Sequence, residues 1–410
     1  MHRQYVVKAF LSLVISIVVS QVCLLSAFAA EIDINDRYIE ISIHDAIERE
    51  ALSWAKCVYK NEVEIKDITR IIAPDAYSFC VSFFENNTPC GYAVFMYSNG
   101  EFEVPEFSDV YGTKDIYTNI KQDIIFQKSI NDNIGEFMFK AGPMDYALGY
   151  INERGELRNE DCYGQDVSTP QYVIEAVCST YKKEDSIFIK IDEFTNANKY
   201  KIIGSISYDV MGAKFDKNPK SSFAEKGDYK ALWDTWYVNT VKKYNCGLTA
   251  DLHILAIDNK LGDFSFDDIS KAYKKLMNMA TTKKKYKKDG NITYYSMYAS
   301  DVNKVLLNYY KMNPPYKAIK SYYKKNPTSI WLKNEIKNSH PIVLSYHIET
   351  EKGKCDHAVT VFSYRTAKKI SNGITYNYLG VFDGWSNIPK FINYSTTDFK
   401  EVTEAYSYKL

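Results

Sequence analysis

Two hydrophobic periodicities divide the chain. Between about residues 31 and 210, runs rich in β-branched and aromatic residues occupy 77–84, 91–97 and 101–107. Asn86-Asn87-Thr88-Pro89 and Ser98-Asn99-Gly100 separate them with good turn chemistry, so strands and hairpins are expected. Ahead of them Ile43, Ala46, Ile47, Ala51 and Trp54 recur at helical spacing, which predicts an amphipathic helix over 43–58. A helix on an antiparallel sheet is therefore expected for a β-rich first domain, residues 30–211. Residues 212–228 hold no sustained period and are expected to be a linker. From 229 to 410 helical patterns come first, at 245–261, 266–279 and 300–310. Strand-like runs follow at 342–348, 358–364, 375–382 and 391–394. Helices first and an antiparallel sheet later predict an α+β class.

The first residues have another character. Arg3 and Lys8 lead into an apolar run at 10–19, and Ala27-Phe28-Ala29 supplies small residues for cleavage. Residues 1–29 are thus expected to be a signal peptide, and the mature chain to be secreted or displayed on the extracellular surface. An uncleaved anchor is the alternative. The run is short for a membrane span and no other apolar stretch is long enough, so no stable span is expected after cleavage.

Charge narrows the partners. Removing Arg3 and Lys8 with the leader leaves 49 basic residues against 51 acidic ones, which gives no electrostatic case for a nucleic-acid partner. The lysine run at 283–288, broken by Tyr286, is expected as a solvated loop. Eight cysteines are present: Cys23, Cys57, Cys80, Cys90, Cys162, Cys178, Cys246 and Cys355. Their spacing matches neither a metal knuckle nor a small disulfide scaffold, and it leaves any disulfide pairing open.

Three short motifs carry chemistry. Asn245 is a good N-cap, and Leu248, Leu252 and Leu255 follow at helical spacing until Gly262. Cys246 therefore falls in the first turn of a helix, where the dipole and unpaired amides favour a thiolate and can hold a developing oxyanion. A cysteine at a buried helix start can equally be packing. His357 opens the alternating run that follows it and can act as base to a thiol. Among the other histidines, His2 lies in the leader and His44 in the first half. His253 sits two turns along the Cys246 helix, as packing or surface. His340 precedes Pro341, and His347 lies within a strand. Asp383-Gly384-Trp385 ends a strand: either a plain turn, or a carboxylate that accepts the second imidazole N–H beneath a covering Trp.

Together, Asn245-Cys246-Gly247-x-Thr249-Ala250, His357-Ala358-Val359 and Asp383-Gly384-Trp385 ahead of Phe391-Ile392-Asn393-Tyr394 resemble bacterial papain-like cysteine peptidases. The streptopain-like and bacteriocin-processing-like branches are the nearest in pattern. The resemblance implies a papain-like catalytic domain at 229–410, with Cys246 as nucleophile and His357 as base. It places Asp383 where papain uses Asn, and Trp385 as the shielding Trp. The first domain resembles the strand-rich propeptides of the streptopain group only in hairpin pattern and position. It is expected to pack on the catalytic domain, as a prodomain of a zymogen or as an accessory domain. The implied substrate is a peptide or protein, with no metal and no organic cofactor. One departure stands out: the Gln that such enzymes place about six residues before the nucleophile is Thr240 here. Asn239 and Asn245 are the candidate oxyanion donors. Two rival functions remain, an acyltransferase or transglutaminase with the same trio, and a non-catalytic binding protein on a decayed peptidase fold.

Overall fold

The computed structural model describes residues 38–74, 76–121, 136–142, 145–151, 157–161, 171–173, 185–190, 198–205, 246–258, 266–280, 283–286, 292–296, 299–313, 317–350, 353–383, 389–394 and 402–410. The expected leader and linker lie outside these residues. The structure is mixed α/β and mostly sheet. The first half supplies strand β1 (Tyr38–Ser42), helix α1 (Ile43–Val58), β2 (Glu64–Ala73), β3 (Ala76–Glu85), β4 (Thr88–Ser98) and β5 (Glu101–Ser108). Shorter strands follow: β6 (Glu136–Gly142), β7 (Asp145–Ile151), β8 (Leu157–Asp161), β9 (Ser186–Lys190) and β10 (Tyr200–Ser205). The second half begins with helices α2 (Cys246–Ile257) and α3 (Phe266–Met279) and the hairpin β11 (Lys283–Tyr286) and β12 (Ile292–Ser296). Helix α4 (Ala299–Met312), strand β13 (Lys320–Lys325) and helix α5 (Ser329–Lys337) come next. The last strands are β14 (Ile342–Thr350), β15 (Gly353–Lys369), β16 (Thr375–Phe382), β17 (Lys390–Asn393) and β18 (Val402–Lys409). Among the described residues no helix is long and apolar enough to cross a membrane.

Local chemistry accounts for many of these boundaries. Helix α1 takes the predicted range, and all five of its spaced apolar residues are buried. Ser42 Oγ accepts the Asp45 N–H at 3.1 Å, which satisfies one donor of the first turn. Asn86 and Asn87 have φ of 49° and 62°, and Asn99 and Gly100 have 53° and 82°. Positive φ at both central residues is what a tight hairpin turn requires, so β3–β4 and β4–β5 close where expected. The lysine run departs from expectation: Lys283–Tyr286 is strand β11, not a loop. Main-chain pairing with the β-branched and aromatic run Ile292–Ser296 makes a strand of residues with little tendency of their own.

The chain has two compact units, residues 1–46 with 182–197, and residues 47–181 with 198–410. In the smaller unit β1 pairs antiparallel with β9, and the Ile43 N–H donates to Asp185 O at 2.7 Å. The larger unit holds the two-stranded β11–β12 sheet and a large sheet in the order β13-β18-β14-β15-β16-β17-β5-β4-β3-β2-β6-β7-β8, with β10 added antiparallel to β15. Among the described residues only β2 and β6 pair in parallel.

That sheet crosses from the second half of the chain to the first between β17 and β5, where Phe391 faces Phe107 and Ile392 faces Glu106. The Phe107 and Phe391 rings stack with centroids 4.9 Å apart, and the Arg365 guanidinium lies 4.4 Å above Phe391. Arg365 also meets Asp109 at 2.7 Å, and the Tyr378 hydroxyl donates to Val104 O at 3.0 Å. Trp54 of α1 is edge-on to Phe107 and Tyr200 at 5.1 and 5.0 Å. Each such ring pair adds about 0.5–1.5 kcal/mol beyond the area it buries. The β14–β15 region is covered on both faces. Val343, Ala358 and Phe362 join the apolar cluster of α2, α3 and α4, whereas Leu344, Val359 and Val361 join that of α5.

Candidate active site

Cys246 is the first residue of α2 and is half-buried, at the edge of the cluster that contains Ala358. Every residue of α2 after it is buried, so the helix runs through the interior with its start toward the surface. Gly247 is needed for packing: a Cβ there would come within 2.5 Å of Val302 on α4. The helix is anchored to the sheet by Thr360 of β15, whose hydroxyl donates to Ala250 O at 3.1 Å and lies 3.4 Å from His253 Nδ1. Cys246, Ala250 and His253 fall on one helix face, so the thiol heads the stripe that meets β15.

His357 lies within β15 rather than at a strand start, because β14 and β15 pair as one hairpin back to Thr350 and Gly353. On the other side of β15 the pairing with β16 begins only at Thr360–Phe382. The His357 ring is 4% exposed, stands edge-on to its cross-strand neighbour Tyr346, and places Nε2 2.9 Å from the main-chain oxygen of Asp383. A carbonyl only accepts, so Nε2 carries the hydrogen and Nδ1 is left as the basic nitrogen. The sequence assigned this acceptor to the Asp383 carboxylate. The structure gives it to the main chain, because β16 ends with that carbonyl directed at β15. Burial lowers the His357 pKa to about 3; the Asp383 charge and its carbonyl oppose the drop, and Lys390 adds to it. The ring is thus neutral, the form that can take a proton.

The Asp383 carboxylate has another place. Its residue is fully buried, and Oδ2 forms an ion pair with Lys390 Nζ at 2.7 Å. Lys390 Nζ also lies 3.4 Å from Glu106 Oε1, which accepts the Tyr92 hydroxyl at 2.6 Å. Burial raises the Glu106 pKa, and the charge of Asp383 adds to the rise against Lys390 and Tyr92. His253 is buried and tilted against Phe382 at 5.2 Å, with its pKa lowered by burial to about 4 and the Asp383 charge opposing. Packing is therefore where the structure puts it.

The structure thus joins His357 to Asp383 and lays the Cys246 helix on the strand that bears His357. Trp385, Asn239 and Asn245 lie outside the described residues. Lys390, Glu106 and Tyr92 were missed. A signal was present for Lys390, which is the one charge in the strand Lys390–Asn393 and so calls for a partner; Glu106 shares its strand with Glu101 and Glu103 and did not stand out.

No family model matches the chain, and no curated protein matches it. Among solved structures, a chain described as a "putative C39-like peptidase" from Bacillus anthracis matches over 42% of this chain and 90% of that chain. The identity is 14% and the TM-score 0.27, too slight a likeness to bear on the site.

Proposed function

We propose that the chain is a secreted papain-like cysteine peptidase acting through Cys246, His357 and Asp383. The observation that carries this is the neutral, buried His357 ring, oriented at Nε2 by Asp383 on the strand against which the Cys246 helix packs. In this reading the Cys246 thiol is the acid and Nδ1 of His357 the base of one catalytic pair. Cys246 gives its proton to Nδ1 and its sulfur attacks the peptide carbonyl carbon. The imidazolium then protonates the leaving amine as the C–N bond breaks, leaving an acyl-enzyme. Nδ1 next takes a proton from water, the hydroxide displaces the sulfur, and the thiol is restored. Amides at the start of α2 face the developing oxyanion. The polar stretch 212–228 offers Lys214, Lys217, Lys220 and Lys226 for a processing cut in a zymogen.

The test is labelling of the purified protein with an epoxide thiol-peptidase inhibitor, followed by mapping of the modified residue. Modification at Cys246, lost in His357→Ala, together with hydrolysis of a peptide library that Cys246→Ala cannot perform, is the expected result. Full turnover by a folded Cys246→Ala protein would sink the assignment. So would an inhibitor-free crystal structure of the active protein with the sulfur more than about 8 Å from the ring.

A further inference from the structure

Asp383 ends β16 and Lys390 starts β17, so their contact closes the neck of the connection between the two strands. The next strand across is β5, from the first half of the chain. It grips the start of β17 three times: by main-chain pairing at Ile392–Glu106 and Phe391–Phe107, by Ser108 Oγ donating to Pro389 O at 2.9 Å, and by the Glu106 carboxyl at Lys390. Glu106 is 2% exposed and Lys390 5%, so neither charge is there for solubility. Glu106 is itself fixed by the Tyr92 hydroxyl from β4. A chain of contacts therefore runs from Tyr92 through Glu106, Lys390 and Asp383 to Nε2 of His357.

We propose that Glu106 is a positioning residue for His357: it seats Lys390, Lys390 seats Asp383, and the main-chain oxygen of Asp383 sets the ring. The importance of this for catalysis rests on the peptidase reading of Cys246 and His357; the positioning itself does not. The first half of the chain then belongs to the working molecule, and a cut within 212–228 leaves it in place. The charged and titratable groups around Glu106 are Lys390, Asp383, Tyr92 and Cys80, and those around Asp383 include His357 and His253. None of these is altered by substituting Glu106.

The experiment uses the full chain and follows the His357 ring proton by NMR as a function of pH, in wild type, Glu106→Gln and Glu106→Leu. Wild type is expected to show no His357 inflection between pH 8 and pH 5. Glu106→Leu removes the β5 carboxyl from Lys390, leaving Asp383 to hold it alone, and loosens the neck; water reaches the ring, and an inflection should appear in that window. Glu106→Gln keeps the shape and the acceptor for Tyr92, and should behave as wild type. General destabilisation of a still-folded protein would not move this titration. A folded Glu106→Leu with no inflection overturns the proposal. If Glu106→Leu does not fold, Tyr92→Phe decides: an inflection above pH 5 supports the proposal and its absence overturns it. Inhibitor labelling of wild-type Cys246 separates the two ideas. An unlabelled Cys246 with a His357 titration that responds to Glu106 brings down the peptidase and leaves the positioning standing.

Discussion

Two buried ion clusters tie distant parts of this chain together, and they are built differently. In the first, Lys199 Nζ meets Glu50 Oε2, the Tyr200 hydroxyl donates to Glu50 Oε1, and the Lys199 N–H donates to Ser53 Oγ at 2.8 Å. One cation faces one anion, and both carboxylate oxygens are used. In the second, two carboxyls, Glu106 and Asp383, share the Lys390 ammonium, and Glu106 Oε2 is buried without a hydrogen-bond partner. The closed cluster fastens β10 to α1. The open one sits beside the His357–Asp383 pair and carries a carboxyl whose pKa burial raises. The closed cluster joins two elements of the fold; the open one also borders the residue whose main-chain oxygen meets His357.

Removing the cation from each cluster should give the largest effects. Lys199→Met and Lys390→Met each leave a buried carboxylate uncompensated and should cost about 3–5 kcal/mol in urea unfolding. The comparison sharpens in a second readout. Inhibitor labelling of Cys246 should survive in folded Lys199→Met and fall at least tenfold in Lys390→Met. Equal labelling in the two would erase the distinction.

The carboxyls should separate the clusters more gently. Glu50→Gln leaves Lys199 facing a neutral amide and should cost about 2–3 kcal/mol, whereas Glu106→Gln should cost less than about 1 kcal/mol. Asp383 still faces Lys390 in the second variant, and the amide oxygen still accepts from Tyr92. A larger loss for Glu106→Gln, measured the same way, would reverse the assignment of open and closed.

The smallest effect concerns His253, which meets the open cluster from the α2 side. Its folded pKa of about 4 lies below the unfolded 6.5, so between these values the unfolded state holds a proton that the native state does not. Stability from this group therefore rises with pH across that window and is lost as pH falls through it. Its slope approaches 1.4 kcal/mol per pH unit, about the linkage value for one proton. The slope should be missing from His253→Phe when the two proteins are compared in urea at pH 4.5, 5.5 and 6.5. Glu106 and Asp251, whose pKa values burial raises, work in the opposite direction, but equally in both proteins.

What the sequence disclosed follows from what is local. Helix α1 and the Asn turns were legible because spacing and positive φ are properties of adjacent residues. Strand β16 was legible to the residue for the same reason. Alternation announces a strand but does not name its neighbour, so the β17–β5 and β10–β15 pairings could not be read. In the site, Cys246, His357 and Asp383 stood out through their motifs. Which oxygen of Asp383 meets the ring depends on the direction of one carbonyl, and no side-chain pattern encodes that. Lys390 was visible as a lone charge in an apolar run, whereas Glu106 was one of three glutamates in its strand. Their pairing was hidden because the two residues lie in different halves of the chain.

The β17–β5 seam also sets the order in which the molecule can be built. Strand β5 is complete early in the chain, yet its outer neighbour is among the last segments in sequence. Until β17 arrives, β5 presents a row of unpaired amides and carbonyls beside Phe107, the kind of edge that invites another copy. Pairings between remote segments also form slowly, because a long loop must close first. Refolding should therefore be rate-limited by closure of this seam, with yield falling as protein concentration rises. A peptide spanning β17 should compete for the same edge if it is added before closure and have no effect afterwards.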